Sequence, residues 1–418
     1  MKRNNVAAFK WQPFSLKQKK VLTWWTPKSP YKDHDMIICD GSIRSGKTIS
    51  MIDSFITWAT HTFEHGTFII AGKSMGALKR NVLQPLFEIL RSKNIVYHYN
   101  RSEHFITVGT NTFYCFGANN EASQDVLQGL TAAGAYADEV ALFPKSFVDQ
   151  MIGRCSVPGS KIWMNCNPES PFHYIKEEFI DKAEEKRILH LHFTLDDNLS
   201  LSNKVKERYK RMFSGVFYQR YVLGLWVRAQ GIIYDMFDEK KHIVKTIDRP
   251  YTKYYIAVDY GTQNPTAFGL WGFFDGVWYK VKEYHHSGRE EERQKTDVEY
   301  SKDLKEFAGD LDITHVIVDP SAASFKAQLK QDGFRVKDAD NDVINGIRNV
   351  ATALNNELIK YNDCCEHTKR EFASYVWDEK AADRGEDRPI KDNDHHMDSD
   401  RYFVNTVLFR KGNITFLT

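Results

Sequence analysis

The chain has 418 residues, more than one hydrophobic core usually serves, so two domains are expected. Hydrophobic residues make up 42% and aromatics 13%, which excludes a disordered chain. Against 55 acidic residues stand 57 Lys and Arg, a net charge of +2, so the basic excess of a permanent nucleic-acid coat is missing, which does not exclude such contact because charge can be confined to one face.

The opening MKRNNVAAFKWQPF lacks the long apolar segment of a secretory signal, and no apolar run reaches membrane-spanning length. The protein is therefore expected in the cytoplasm of the cell that makes it. Met36–Cys39 reads as a buried strand, residues 48–63 as a helix, and Thr67–Ala71 as the next strand. Residues 75–91 have helical spacing, Phe105–Val108 and Thr112–Phe116 form a strand pair, and Lys161–Asn165 is a further short strand. Apolar runs alternating with amphipathic stretches predict a mainly parallel sheet covered by helices.

Near Gly224–Trp226 and Ala229–Gly231 the pattern breaks. A new unit opens with Tyr254–Val258, a strand ending at Asp259. Residues 267–273 and 277–283 alternate as antiparallel strands, and His315–Val318 is a buried strand ending at Asp319. Residues 397–409 have helical spacing. The expected division is a first domain at 1–228, a linker at 229–250 and a second domain at 251–418.

Gly41-Ser42-Ile43-Arg44-Ser45-Gly46-Lys47-Thr48 matches the full phosphate-loop pattern, with a strand before it and a helix after it. Its glycines let backbone amides turn around phosphates, and the helix directs its positive end toward them. Lys47 is expected on the β- and γ-phosphates of ATP and Thr48 on Mg²⁺. Chance produces the pattern in roughly one or two percent of chains this long. An NTPase also needs an acidic pair on a neighbouring strand, which Gly134–Ala137 followed by Asp138 and Glu139 supplies. Asp138 is assigned to the metal and Glu139 to the attacking water. The strand is unusually poor in bulky residues.

In the second unit Asp259 and Asp319 close apolar strands and Asp398 begins the last helix. Two-metal phosphodiester cleavage needs carboxylates converging from separate elements. His395, three residues before Asp398, could orient water or contact the scissile phosphate, and Glu283 ends another strand as a further candidate ligand. Single strand-end aspartates are also common turn residues, so spacing alone leaves both readings open. The six cysteines show no CxxC, so reduced thiols are expected, and Cys364-Cys365-Glu366-His367 lacks partners for a metal site elsewhere in the sequence.

These residues, in this order, resemble the large subunit of tailed-bacteriophage terminases over about residues 14 to 402. Phe14–Gln18 is similar to the family's adenine-sensing segment, pointing to Gln18, and Arg44 matches the family's phosphate-loop arginine. Gln128–Thr131 leads into the acidic pair as it does in the family. Trp163-Met164-Asn165-Cys166-Asn167-Pro168 resembles the coupling motif, implying Asn167 at the γ-phosphate, with Asn165 where many members carry Ser or Thr. Arg154 sits where a trans-acting arginine finger would be expected. Val258–Gly261, Val318–Ser321 and Asp394–Tyr402 resemble the acidic motifs of the family's nuclease, with Ser399 replacing the usual Ala.

The resemblance implies a P-loop ATPase of the ASCE type followed by an RNase H-like nuclease. It implies ATP and Mg²⁺ in the first domain, and Mg²⁺ or Mn²⁺ on Asp259, Asp319 and Asp398 in the second. Double-stranded DNA, a small terminase subunit and the procapsid's portal protein follow as partners, with no membrane. A homo-oligomeric ring during packaging is implied, with a monomer as the alternative in free solution. The implied location is the host cytoplasm, with transient docking on the procapsid and absence from the mature virion. Two rivals remain at this level: a helicase-nuclease of repair, which would need a second motor domain that residues 250–418 do not announce, and a nucleotide-gated scaffold with a merely solvated acidic cluster.

Overall fold

The computed structural model describes residues 11–261, 265–288 and 293–409. Two compact units emerge. One comprises the residues up to Arg208 with Tyr218–Arg228, and the other Tyr209–Phe217 with Ala229 onward.

In the first unit, helix α1 (Leu16–Thr23) precedes strand β1 (Met36–Gly41), helix α2 (Lys47–Thr62) and strand β2 (Thr67–Gly72). Then come β3 (Tyr97–Asn100), β4 (Phe105–Val108), β5 (Asn111–Gly117), β6 (Gly134–Ala137), β7 (Lys161–Asn165) and β8 (Ile188–Phe193). They build one sheet in the order β3-β4-β5-β2-β6-β7-β1-β8. From β5 to β8 all neighbours are parallel, and β3 and β4 add an antiparallel hairpin on β5. Thus β7 separates the phosphate-loop strand from the strand bearing the acidic pair, as the ASCE reading requires.

Every residue of β1 is buried, the continuous apolar signature of a sheet covered on both faces. On one face Ile37, Phe68, Ile70, Tyr136 and Trp163 meet Phe55 and Trp58 of α2. On the other, Ile38, Ile69, Ala135, Ala137 and Met164 meet Phe147, Val148 and Met151 of the helix Lys145–Arg154. The small residues of β6 now have a cause. A Cβ on Gly134 would lie 2.7 Å from the Trp58 ring and from the Lys161 carbonyl, so the bulk belongs to the partner. Trp163 packs between Trp24 and Trp58, with ring centroids 4.9 and 4.8 Å away.

The second unit contains β9 (Ile243–Val244), β10 (Tyr254–Asp259), β11 (Thr266–Phe274), β12 (Val277–His286), β13 (Ile313–Val318), β14 (Val336–Asp338) and β15 (Ile359–Asn362). Their order is β14-β13-β10-β11-β12-β15-β9. An antiparallel β10-β11-β12 meander carries parallel β13 and β14 beside β10, the RNase H-like arrangement, with β15 and β9 extending the far edge. One face of the sheet packs Ile256, Val258, Phe268 and Leu270 against Tyr300, Leu304, Phe325 and Leu329. The other receives the terminal helix His395–Phe403, where Phe403 stacks on Trp271 at 4.3 Å. Ser399, the departure from the family's Ala, faces the sheet and donates to the Ala257 carbonyl at 3.0 Å.

Residues 229–250, expected from their composition to be a linker, are packed into this unit. Tyr234 stacks on Tyr375, Ile232 bridges Val376, and β9 pairs with β15.

Candidate active sites

The phosphate loop leaves β1 through Gly41 at φ +124° and enters α2 through Gly46 at φ +85°, while Arg44 takes a left-handed φ of +54°. Gly41 has no room for a side chain, since a Cβ there would lie 1.9 Å from the Phe193 carbonyl oxygen. The loop is thereby tied to β8, with Ser42 N donating to that carbonyl at 2.9 Å and Ile43 N to Tyr221. Ser45 Oγ donates back to the Ser42 carbonyl. Lys47 is buried, and its Nζ donates to the carbonyls of Gly41 (3.0 Å) and Ser42 (2.7 Å) and to Asn167 Oδ1 (3.2 Å). Burial pushes the Lys47 pKa down, and the charges of Asp40 and Asp138 oppose that shift.

Asp138 follows β6 directly. Its Oδ1 accepts from Thr48 Oγ1 (3.0 Å), Tyr136 OH (2.8 Å) and Asn165 Nδ2 (2.9 Å). Asn165 also donates to Tyr136 OH, and its Oδ1 accepts from the Glu139 backbone N–H at 3.2 Å. One amide on β7 therefore holds both acids, with Glu139 in a left-handed conformation at φ +59°. Thr48 and Asp138 offer a hydroxyl and a carboxylate side by side, the hard oxygen donors that Mg²⁺ prefers.

Gln18 is fixed by a capping box with Ser15, and its Nε2 donates to the Gly46 carbonyl at 3.3 Å. The adenine-sensing candidate thus touches the phosphate loop itself. Arg154 lies elsewhere. Its carbonyl accepts from Ala132, ahead of β6, whereas Asp138 follows the same strand. Ala132 stands six residues before Asp138, so at about 3.3 Å per residue the Arg154 backbone lies on the order of 20 Å from the acidic pair, at the opposite end of the strands. It does not join Lys47, Thr48, Asp138 and Asn167.

The sequence reading missed a neighbour of the loop. Asp40, 1% exposed, accepts from His190 (2.8 Å), His192 (3.2 Å) and Trp226 Nε1 (2.7 Å). Burial alone would raise its pKa, but the bonds from His190 and His192 outweigh it and hold the carboxyl below the usual range. The signal was available as an acid in a buried strand paired with a strand reading His-Leu-His.

In the second unit the pairing of Val258 with Val318 sets Asp259 and Asp319 at the ends of adjacent parallel strands. Tyr402 OH reaches both, 3.5 Å from Asp259 Oδ1 and 3.2 Å from Asp319 Oδ2. His395 Nδ1 lies 2.9 Å from Asp259 Oδ2. Asp319 also accepts from Ser321 and from Asn341 Nδ2, and these bonds outweigh its burial to lower its pKa. Asp259 shifts the other way, raised by burial and by the charges of Asp398 and Asp394 against the His395 bond. Burial would lower the His395 pKa, but its bond to Asp259 raises it.

Asp398, one turn after His395, is held by two cations, Arg401 Nη2 at 2.8 Å and Lys391 Nζ at 2.7 Å. Lys391 also reaches Asp394 at 2.9 Å. Carboxylates from two strands and a helix are the donor set for Mg²⁺ or Mn²⁺, and a buried carboxylate with a raised pKa is one that a cation would stabilise. Asn341 and Lys391 carry no sequence signal of their own, while Arg401 and Tyr402 lie inside the Asp394–Tyr402 motif, which by itself gives them no role.

Glu283 is used otherwise. Its carboxylate caps the helix Glu366–Ser374, accepting from His367 N (2.7 Å), Thr368 N (3.1 Å) and Thr368 Oγ1 (2.6 Å). All six cysteines are free. Four are buried, Cys155 is half-buried and Cys364 is exposed.

The family model described as terminase large subunit, T4likevirus-type, N-terminal, matches residues 38–241. No curated protein matches the chain. Among solved structures, the large terminase of a thermophilic bacteriophage is 61% identical, covering 95% of this chain and 100% of that one at a TM-score of 0.93. The same phage's large terminase in complex with ADP is 60% identical at a TM-score of 0.91, and in complex with ATP-γ-S 59% identical at 0.90, each with the same coverage. Identity of this order over the full length of a solved relative, on the two-unit fold described above, shows that the chain belongs to the bacteriophage large terminases, with an ATPase domain followed by a nuclease domain.

Proposed function

We propose that this protein hydrolyses ATP to drive double-stranded DNA into a procapsid and cuts concatemeric DNA with a metal-dependent endonuclease. The observation that carries the reading is the pairing of two complete sites on one chain. In the first, Lys47 faces the loop that would cradle the phosphates, Thr48 and Asp138 would hold Mg²⁺, and Glu139, whose backbone N–H Asn165 accepts, would orient the attacking water. Asn167, bonded to Lys47, stands where a γ-phosphate would be sensed, and Gln18 lies against the loop on the base side. The ADP and ATP-γ-S complexes of the thermophilic-phage relative support the same nucleotide here. Arg154, at the end of the strands away from the acidic pair, would act on a neighbouring copy in a ring.

In the second site Asp259, Asp319 and Asp398 would hold Mg²⁺ or Mn²⁺, which supplies the activated water and neutralises the phosphate. His395 orients Asp259 and Tyr402 bridges the two strand-end acids. We assign the motor to the unit of residues 1–208 and 218–228 and the nuclease to the unit of 209–217 with 229 onward, so that 229–250 is part of a folded domain. A small terminase subunit would deliver DNA, and the portal protein would receive the motor in the host cytoplasm before a mature virion forms without it.

The test uses the full-length protein with ATP and plasmid DNA. Lys47→Ala should abolish hydrolysis and retain plasmid cutting in Mn²⁺, and Asp319→Asn should do the reverse. Loss of both activities from either variant, with the fold intact, would refute the assignment of two separate sites.

A further inference from the structure

We propose that His285, His367 and His396 form a binding site for a divalent transition-metal ion of the zinc class, separate from the carboxylate cluster. The three residues come from three elements, the end of β12, the helix Glu366–Ser374 and the terminal helix. Their ligand nitrogens all lie within 4.8 Å of one another. The rings of His285 and His367 stack at 4.3 Å, and His396 lies 5.4 and 5.7 Å from them.

His396 is fully buried, yet its Nε2 has no hydrogen-bond partner among the described residues, and neither does His285 Nδ1. A buried ring nitrogen without a partner is destabilising, and two converging in one cluster invite a compensating ligand. A metal ion supplies it. Imidazole nitrogens suit zinc, nickel or copper, whereas the oxygen-rich cluster of Asp259 and Asp319 suits magnesium or manganese. A tetrahedral zinc site with metal–nitrogen bonds of about 2.0–2.1 Å puts its nitrogens about 3.3 Å apart, a closure within reach of small side-chain rotations.

The backbone around the cluster is already fixed. Glu283 accepts from His367 N, and Glu371 accepts from His396 N (2.7 Å) and Met397 N (2.9 Å). When Nε2 coordinates, the ring proton belongs on Nδ1, which faces Glu283 Oε2 at 3.7 Å and the Lys280 ammonium at 3.4 Å. His285 and His367 are half-buried, which leaves the ion a path from solvent. Adjacent residues on a helix diverge by about 100°, so His395 turns to Asp259 while His396 turns to this cluster. An ion here would pin the start of the helix that carries His395 and Asp398.

The test is metal binding by the full-length protein after stripping with chelator. Zinc titrated calorimetrically should bind with one equivalent assignable to this site, and cobalt should give the visible bands of a low-coordinate nitrogen site. His285→Gln and His367→Gln, both at half-buried positions, should each weaken that equivalent at least tenfold while unfolding at nearly the wild-type temperature. Asp319→Asn should retain it. Absence of zinc binding to the wild-type protein would overturn the proposal. So would an equivalent unchanged in both folded histidine variants, or one lost in Asp319→Asn.

Discussion

Asn165→Ala isolates the amide that joins the two acids of the ATPase site. The side chain is 2% exposed and makes three hydrogen bonds, to Tyr136 OH, to the Asp138 carboxylate and from the Glu139 N–H. Tyr136 keeps its own bond to Asp138, so the change removes one donor from a carboxylate and leaves one backbone N–H without its acceptor. A bond to a charged group contributes about 1.5–3 kcal/mol and a neutral one about 1 kcal/mol, so the first domain should lose about 3 kcal/mol of stability. If half of that reflects the placement of Glu139 in the transition state, kcat for ATP falls about 10- to 20-fold. KM should move about threefold or less, because Lys47 and the loop amides are untouched. Steady-state ATP hydrolysis with a parallel urea melt reads both quantities. A folded variant whose kcat stays within about twofold of wild type would refute the idea that Asn165 positions the acids.

Two further changes test other parts of the structure. Asp40 has a folded pKa below its unfolded value, so its contribution is fully present above about pH 4 and is lost as pH falls through the folded value. Unfolding free energies of wild type and Asp40→Asn from denaturant titration should therefore differ by about 2 kcal/mol near neutrality and converge in acid, and a gap that widens below pH 4 would contradict the assignment. Gly346→Ala would place a Cβ 2.3 Å from Arg401 Cγ, moving the guanidinium off Asp398 and off the Asn341 carbonyl. Such overpacking costs about 1–3 kcal/mol, and plasmid cutting should fall at least about tenfold while ATP hydrolysis stays within about twofold.

What the sequence disclosed depended on whether a signal was local. The phosphate loop, the strands ending at Asp259 and Asp319 and the meander of β11 and β12 each carry their pattern within a dozen residues, and each was legible. The role of Asn165 was not, because it depends on β7 lying beside β6, a pairing that no spacing announces. Tyr402 likewise acquires its place only when the terminal helix docks across β10. Glu283, expected at a strand end, lies inside β12, which runs on to His286, and the nearby helix start at His367 claims its carboxylate, a tertiary competition invisible in one dimension. The Cys364–His367 stretch shows no partners along the chain because His285 and His396 lie 82 and 29 residues away from His367. Residues 229–250 looked like a linker because β9 is only two residues long and gains its order from β15.

The tryptophan cluster around Trp163 has a mechanical meaning. Asn165 and Asn167 continue the strand that this indole anchors, and the indole is clamped between Trp24 and Trp58 and bonded to Ser54 Oγ at 3.2 Å. Packed interiors are close to incompressible, so the strand cannot slide while the surrounding rings stay still. A shift that begins beside the phosphates would therefore have to carry Trp24 and Trp58 with it, so the stiffness that makes the core stable would also make it a pushrod.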